Sequence, residues 1–368
     1  MDYEQARQLL EKYNSGKCTD AEKTLIEQSF LAFNEQPVEI SSAKLKALKK
    51  QVSRDLPIPK SRSLKVIITI STAAAAAAIV FAIYMFNRQP ENDIKRSFRI
   101  AEHIYPTGNS ARITLSNGKT IELDQNHDEI KIENSGLSYS DGIKIKNNPT
   151  VEYQTISTSK GGEYKIVLSD GTKVWLNAAT VLQYPTSFGE KIERRVKLVS
   201  GEAYFEVAKD KNHPFIVSSK NQNLTVLGTH FNINTYNNEV STTLLEGSVK
   251  LNSKDDVASI TLKPGERSIA DGTSFRRTDV DLDLTLAWRN CKIKFRDADL
   301  KSILNEAERW YDIKVEYEDN VPNMRLTGGI SRKSNLSVLL KLLQMSGVNF
   351  SLNEKQGTRI LTIKSNTP

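Results

Sequence analysis

Four histidines and two cysteines are the side chains in this 368-residue sequence best suited to metal binding or nucleophilic chemistry. His103, His127, His213 and His230 stand far apart, with no close His/Cys/Asp set at metal-ligand spacing. His230 falls inside a strand pattern, where a packed imidazole is a simpler reading than a catalytic base. Asp170-Gly171 and Asn117-Gly118 read as turns rather than acid–base groups. No glycine-rich phosphate loop is present, and Gly161-Gly162 and Gly328-Gly329 read as bends beside strands. Trp175, Trp288 and Trp310 could stack on sugars but fit better as core anchors. Cys291 has no visible catalytic partner and reads as a small buried apolar residue. No catalytic residue, cofactor or metal is therefore expected.

The elements around these residues are more informative. Val66 to Phe86 is an uncharged, proline-free apolar stretch, softened only by Thr69, Ser71, Thr72 and Tyr84. It matches the roughly 20 residues a helix needs to cross a hydrocarbon core. It starts too late and runs too long for a secretory signal. Lys44, Lys46, Lys49, Lys50, Arg54, Lys60, Arg62 and Lys65 precede it against Asp55 alone. Such an excess is retained on the cytoplasmic side, which predicts an inner-membrane, single-pass chain with a cytoplasmic N-terminus and a periplasmic C-terminal part. The net charge of +7 is concentrated beside this span. There it can contact anionic lipid at about 1 kcal/mol per basic residue, and no direct nucleic-acid binding is expected. Cys18 and Cys291 fall on opposite sides of the predicted membrane, so no intrachain disulfide framework is expected.

Residues 1–60 read as a small all-α head. Thr19-Asp-Ala-Glu22 fits a capping box. The helix it opens carries Ala21, Leu25, Ile26, Phe30 and Phe33 on one apolar face. Three such short helices bury little core, so the head is either an independent bundle or is completed by a partner. Residues 1–39 hold eight acids against four bases, which suits a basic partner.

Beyond the span, Leu-x-x-Gly recurs as Leu115–Gly118, Leu168–Gly171, Leu198–Gly201, Leu244–Gly247 and Leu262–Gly265 among short alternating strands. Asn-Gly and Asp-Gly predict hairpin turns with positive φ at both turn positions. Repeated strand–turn units predict a solenoid or roll, with a sandwich as the alternative. After residue 288 the period changes. Leu300, Ile303, Leu304 and Ala307 mark one helix, and Leu336, Leu339, Leu340 and Leu343 mark a second, capped at Ser334. Strands at Lys292–Phe295, Ile313–Tyr317, Met324–Ile330, Val348–Leu352 and Arg359–Lys364 frame them. This predicts a compact α+β module of βαβ-βαββ order.

GGEYKIVLSDGTKVWLNAAT, RRVKLVSGEAYFEV, HPFIV, VLGTHFNIN and TTLLEGSVKL together resemble the FecR family of anti-sigma regulators. WRNCKIKF, ERWYDIKVEYE and RLTGGISRKSNLSVLLKLL resemble the extension of Bacteroidetes members, itself similar to the short domain of secretins and TonB-dependent transducers. The resemblance implies a chain of several domains: a cytoplasmic sigma-binding head (1–60), a transmembrane helix (66–86), a periplasmic juxtamembrane β segment (87–150), an all-β FecR domain (155–275) and the C-terminal module (288–366). It implies an extracytoplasmic-function sigma factor held through Leu25, Ile26, Phe30 and Phe33. It also implies a periplasmic signalling domain of a TonB-dependent outer-membrane transducer, met through Trp310, Tyr311, Arg325 and Ile330, and proteases that release the head. The alternatives are a membrane-tethered periplasmic enzyme acting on carbohydrate or cell wall, and a structural envelope protein.

Overall fold

The computed structural model describes Thr19 and residues 90–133, 136–145, 153–189, 191–220, 222–319, 321 and 323–365, without the side chains of residues 90–92. Apart from Thr19, the expected head lies outside the described residues, as do the expected span and Leu25, Ile26, Phe30 and Phe33. Among the described residues no helix is long and apolar enough to cross a membrane. The chain divides into two compact units, Met1–Lys95 and Arg96–Pro368. The second is described below.

Alternating short strands build two large sheets among the described residues. The nine-stranded sheet runs Ser259–Leu262, Val249–Ser253, Gln222–Val226, Phe215–Ser219, Arg194–Ser200, Val181–Pro185, Tyr153–Thr158, Ala111–Leu115 and Thr120–Glu122. The second sheet runs Phe275–Asp279, Glu266–Ala270, Val240–Glu246, His230–Asn234, Glu202–Glu206, Lys173–Leu176, Gly162–Val167, Glu129–Glu133, Gly136–Tyr139 and Lys144–Ile145, with Gly108–Asn109 parallel to Gly162–Val167. Many strands have one inward row, as the two-residue side-chain period predicts: in Arg194–Ser200, Val196 and Leu198 are buried while Arg195 and Lys197 face out. From Gly162 onward the chain alternates between the sheets, mostly one hairpin at a time. Their inner faces share one core, in which Ile156, Leu182, Leu198 and Val217 meet Ile166, Phe205, Phe231 and Leu244. This is a β-roll of hairpins, between the solenoid and the sandwich left open above. Strands at 111–122 and 129–145 extend the same sheets, so this part of the 87–150 segment is continuous with the FecR-like β region rather than separate from it.

The recurring Leu-x-x-Gly has two structural meanings. Leu115–Gly118 and Leu168–Gly171 close hairpins, with the glycine N–H donating to the leucine carbonyl at 2.9 Å in both. Only Gly118 and Gly171 have positive φ, at 80° and 85°; Asn117 and Asp170 do not. These are three-residue loops with a left-handed glycine, not the two-residue turns expected. Asn117 and Asp170 instead accept from the backbone N–H two residues on, at 3.0 and 2.9 Å. The other three motifs are corners where the chain changes sheet. At Gly201 (φ 100°) an added Cβ would stand 2.4 Å from Thr180 Cα. Gly201→Ala should therefore cost roughly 1–3 kcal/mol, measurable as a lowered unfolding midpoint, whereas Gly118→Ala meets open space and should cost less.

The C-terminal module follows α2 (Leu282–Thr285), a short helix capped by Asp281 that the sequence reading missed. Lys292–Asp299 pairs antiparallel with Arg325–Ser331, and Thr358–Ile363 lies between Lys314–Tyr317 and Phe350–Lys355. Helices α3 (Leu300–Trp310) and α4 (Leu336–Met345) bury the two predicted apolar quartets. Burial of such a side chain is worth about 1.5–3 kcal/mol. Asn335, not Ser334, occupies the N-cap of α4; the Ser334 N–H closes a turn onto Ser331 O instead. Gly328 and Gly329 lie inside the strand Arg325–Ser331 rather than at a bend, and a Cβ at 329 would meet Ile293 O at 2.9 Å.

The module's core is completed from the other end of the chain. Helix α1 (Pro90–Ala101), together with the turn after it, brings Phe98, Ala101 and Ile104 into the same cluster as α3 and α4. Phe98 packs edge-on against Phe350, Ser97 Oγ accepts from Leu352 N–H at 2.8 Å, and Ile104 O accepts from Leu336 N–H at 2.9 Å. The sequence reading placed only β structure in residues 87–150.

Candidate functional site

The most elaborate polar arrangement lies at the seam between the β-roll and the module. The α3 C-terminus reaches the roll through backbone: Gly161 N–H donates to Arg309 O at 2.8 Å. Gly161 has φ 69°, and a Cβ there would stand 2.8 Å from Trp310 O, so only glycine fits this approach.

Arg332, just past the strand Arg325–Ser331, is buried at the centre of the seam. Its guanidinium lies 3.4 Å from the centroid of the Trp310 ring. It donates to Asn177 Oδ1 at 2.6 Å, Trp288 O at 3.0 Å and Glu163 Oε2 at 3.3 Å. In return Arg332 O accepts from Trp310 Nε1 at 3.0 Å. Asn177 relays the contact: its Nδ2 donates to Glu202 Oε2 at 2.8 Å, while Asn232 Nδ2 donates to Glu202 Oε1 at 3.0 Å. A buried guanidinium is tolerable only with such a set of acceptors. Burial lowers the Arg332 pKa, and Glu163 and Glu306 oppose that. Burial also raises the Glu163 pKa, with Arg332 and Lys333 pulling it down.

Beside this network opens a cavity of about 380 Å³, lined by both parts of the seam. The roll contributes Asn232, Asn234, Tyr236 and Arg267, and α3 contributes Glu306 and Arg309. Arg309 stacks over the Tyr236 ring at 4.0 Å, and the Tyr236 hydroxyl donates to Ala178 O. Arg267 donates to Thr243 Oγ1 at 3.1 Å and Thr285 Oγ1 at 2.8 Å. Among the described residues Glu306 makes no hydrogen bond, and desolvation pushes its pKa up to about 7 against the pull of Arg332 and Arg309.

Of the residues the sequence singled out for a transducer contact, Trp310, Tyr311 and Ile330 are buried in the module's own core. Tyr311 donates its hydroxyl to Ser334 O at 3.2 Å. Arg325 alone is exposed, paired with Asp297 Oδ1 at 2.7 Å. The histidines are dispersed: His213 sits 2.7 Å from Asp210, His230 3.1 Å from Glu246, and His127 stacks on Tyr139. Trp288 and Trp310 are buried, while Trp175 is half-buried under Arg289 at 4.3 Å. Cys291 is exposed at φ 55°, not buried as expected, because it sits in the tight turn entering the module's first strand. Sequence reasoning missed Arg332, Asn177, Glu202, Glu163 and Glu306. All but Glu306 fall within the quoted motif runs, which was their one visible signal.

A β-roll clamped onto a small α+β module defines a two-part scaffold, and its parts match known domains. Residues 154–250 match the family described as FecR protein, and residues 292–361 match FecR, C-terminal. Over those residues the chain is similar to the FecR family. Two crystal structures from Parabacteroides distasonis ATCC 8503, each described as a candidate anti-sigma factor, are similar to it. One is 26% identical with a TM-score of 0.51, covering 58% of this chain and 100% of that one. The other is 28% identical with a TM-score of 0.50, covering 56% of this chain and 97% of that one. No curated protein sequence matches.

Proposed function

We propose that this chain is a regulatory protein without catalytic activity: a single-pass inner-membrane anti-sigma factor. Its cytoplasmic head sequesters an extracytoplasmic-function sigma factor, and its periplasmic part receives a signal from a TonB-dependent outer-membrane transducer. The observation that carries the reading is the pair of FecR domains in FecR order, on a fold similar to structures described as candidate anti-sigma factors. The basic residues before Val66 support a cytoplasmic head.

The packing adds a route for the signal. The segment Ser97–Ile104, a few residues after the predicted span, belongs to the core of the C-terminal module. A partner that shifts the module acts directly on the chain leading into the membrane. The transducer's signalling domain would dock by strand addition. The outer edges of Lys292–Asp299 and Arg325–Ser331, with exposed Arg325, are the surfaces for it. Proteolysis near the membrane then frees the head.

The test is the double variant Leu25→Asp, Phe30→Asp in the full chain. Charge on that face costs several kcal/mol on burial. Co-purification of the sigma factor should be lost, and transcription of its target genes should rise without inducer. Wild-type co-purification and reporter output would remove this helix from the sigma contact.

A further inference from the structure

We propose that a basic cleft between α1 and the module's three-stranded sheet binds the phosphate headgroup of an anionic phospholipid. The cleft has a volume of about 500 Å³. Arg96, Arg99, Ile100, His103 and Ile104 line it from α1 and the turn after it, and Glu354 and Arg359 line it from the hairpin of Phe350–Lys355 with Thr358–Ile363. Spacings of three and four residues put Arg96, Arg99, Ile100 and His103 along one side of the helical segment. The neighbouring side carries Phe98, Ala101 and Ile104 into the module's core, which holds the basic side beside the sheet.

The charges of this cleft are unanswered. Among the described residues, Arg96, Arg99, Arg276 and Arg359 are the arginines with no hydrogen bond, ion pair or ring partner, and three of these four meet here. Most other described arginines hold a carboxylate, as Arg325 holds Asp297 and Arg289 holds Glu206. Glu354 is the single acid in the lining, and its backbone stands opposite Arg359 in the hairpin, yet the two side chains form no ion pair. Three guanidiniums against one carboxylate select an anion. Converging from a helix and a strand, they suit a tetrahedral phosphate, which offers acceptors in several directions. A planar carboxylate is already answered by one guanidinium fork. Half-buried Ile100 supplies an apolar wall for the glycerol and first methylenes of a lipid. The lipid source follows from the place in the chain. Arg96 stands ten residues beyond Phe86, the end of the apolar stretch, a separation of at most about 35 Å. That assignment rests on the membrane reading above. A headgroup held here would tie α1 and the module's sheet together at the bilayer surface.

The full chain in neutral maltoside micelles, with isotope-labelled isoleucine methyl groups, is titrated with monomeric dihexanoyl-phosphatidylglycerol and followed by methyl NMR. Dihexanoyl-phosphatidylcholine, inorganic phosphate and acetate are the comparisons. The Ile100 and Ile104 signals, assigned through Ile100→Val and Ile104→Val, should shift saturably with phosphatidylglycerol and respond weakly to the others. Arg359→Gln should weaken affinity roughly tenfold, the loss of one charge-assisted hydrogen bond. Arg96→Gln with Arg99→Gln should remove the response. Glu354→Gln should tighten binding, a gain that damage to the fold cannot imitate. Lys60→Gln with Arg62→Gln and Lys65→Gln should change nothing, which separates this cleft from the basic run before the apolar stretch. The remaining isoleucine signals check that each variant is folded. The short-chain lipid reaches the cleft whether or not residues 66–86 span a membrane. A failed titration therefore overturns the headgroup site and leaves the membrane reading standing, which falls instead if the chain is soluble without detergent. A response to inorganic phosphate as strong as that to phosphatidylglycerol would make the occupant a soluble phosphate and overturn the lipid assignment. An equal response to phosphatidylcholine, or one that the arginine variants leave intact, overturns the site itself.

Discussion

Replacing Arg332 with methionine should detach the C-terminal module from the β-roll. The guanidinium joins Trp310 of the module to Asn177 and Glu163 of the roll and to Trp288 of the connection between them. Methionine roughly preserves volume, so the loss is chiefly polar. It leaves Asn177 Oδ1 with only the Ala178 N–H as donor and the Trp288 carbonyl with only the Cys291 N–H at 3.3 Å, and it leaves Glu163 without its donor. Breaking a buried charged network by removing one partner costs about 3–5 kcal/mol, a large share of the ~5–15 kcal/mol that holds a domain together. Lysine keeps the charge but not the planar fork, and should fall between the two. Urea unfolding followed by tryptophan fluorescence reports the event, since Trp288 and Trp310 both contact Arg332. The variant should show an early transition for the module and a later one for the roll. A single transition at the wild-type midpoint would mean that the apolar packing and the Gly161–Arg309 backbone contact hold the seam alone.

How far the sequence announced this structure follows from which interactions are local. The α3 and α4 quartets were legible because helical spacing puts Leu300, Ile303, Leu304 and Ala307 on one face whatever they pack against. The strands were legible through their two-residue alternation, as in Val196 and Leu198. What alternation cannot encode is the partner of each strand. The parallel pairing of Arg194–Ser200 with Phe215–Ser219 depends on crossovers far along the chain, as does the sorting of hairpins between two sheets. The same limit hid the two meanings of Leu-x-x-Gly. A glycine with positive φ suits both a hairpin loop at Gly171 and a sheet-changing corner at Gly201, and the neighbour that tells them apart, Thr180, is remote in sequence.

The seam was less legible still, because its residues look like ordinary surface positions. Arg332 stands beside Lys333 in a polar run, yet the first is buried and the second exposed. Only the turn after Arg325–Ser331 decides which one points inward. Glu306 resembles any solvated helix position between Asn305 and Ala307 until the roll is placed against it. Trp310 and Tyr311 were assigned to the transducer through the resemblance, and their large apolar rings take them into the core rather than onto a partner-facing surface.

Between about pH 4.5 and pH 7, the protein should lose stability as pH rises, and Glu306→Gln should remove most of that loss, with Glu163 contributing in the same direction. Desolvation is the main reason the Glu306 carboxyl in the folded chain holds its proton up to about 7; Glu202 adds to it, while Arg332 and Arg309 oppose it. In the unfolded chain the ordinary value of 4.5 applies. Below 4.5 both states are protonated, and the advantage of burying a neutral carboxyl is fully present. Between the two values the unfolded state binds fewer protons, so unfolding releases a proton and rising pH favours it. Above about 7 both states are ionised and the penalty is constant. At 1.36 kcal/mol per pKa unit the change across the window is on the order of 3 kcal/mol. Glutamine keeps the shape and neutrality of the protonated acid, so the variant should match the wild type at low pH and exceed it at pH 8. The measurement is the difference between the two unfolding midpoints along a pH series, in which titrations common to both proteins cancel. Curves that stay parallel from pH 4 to pH 8 would show that Glu306 ionises in the folded chain at its ordinary value, with water or a movement of α3 solvating it.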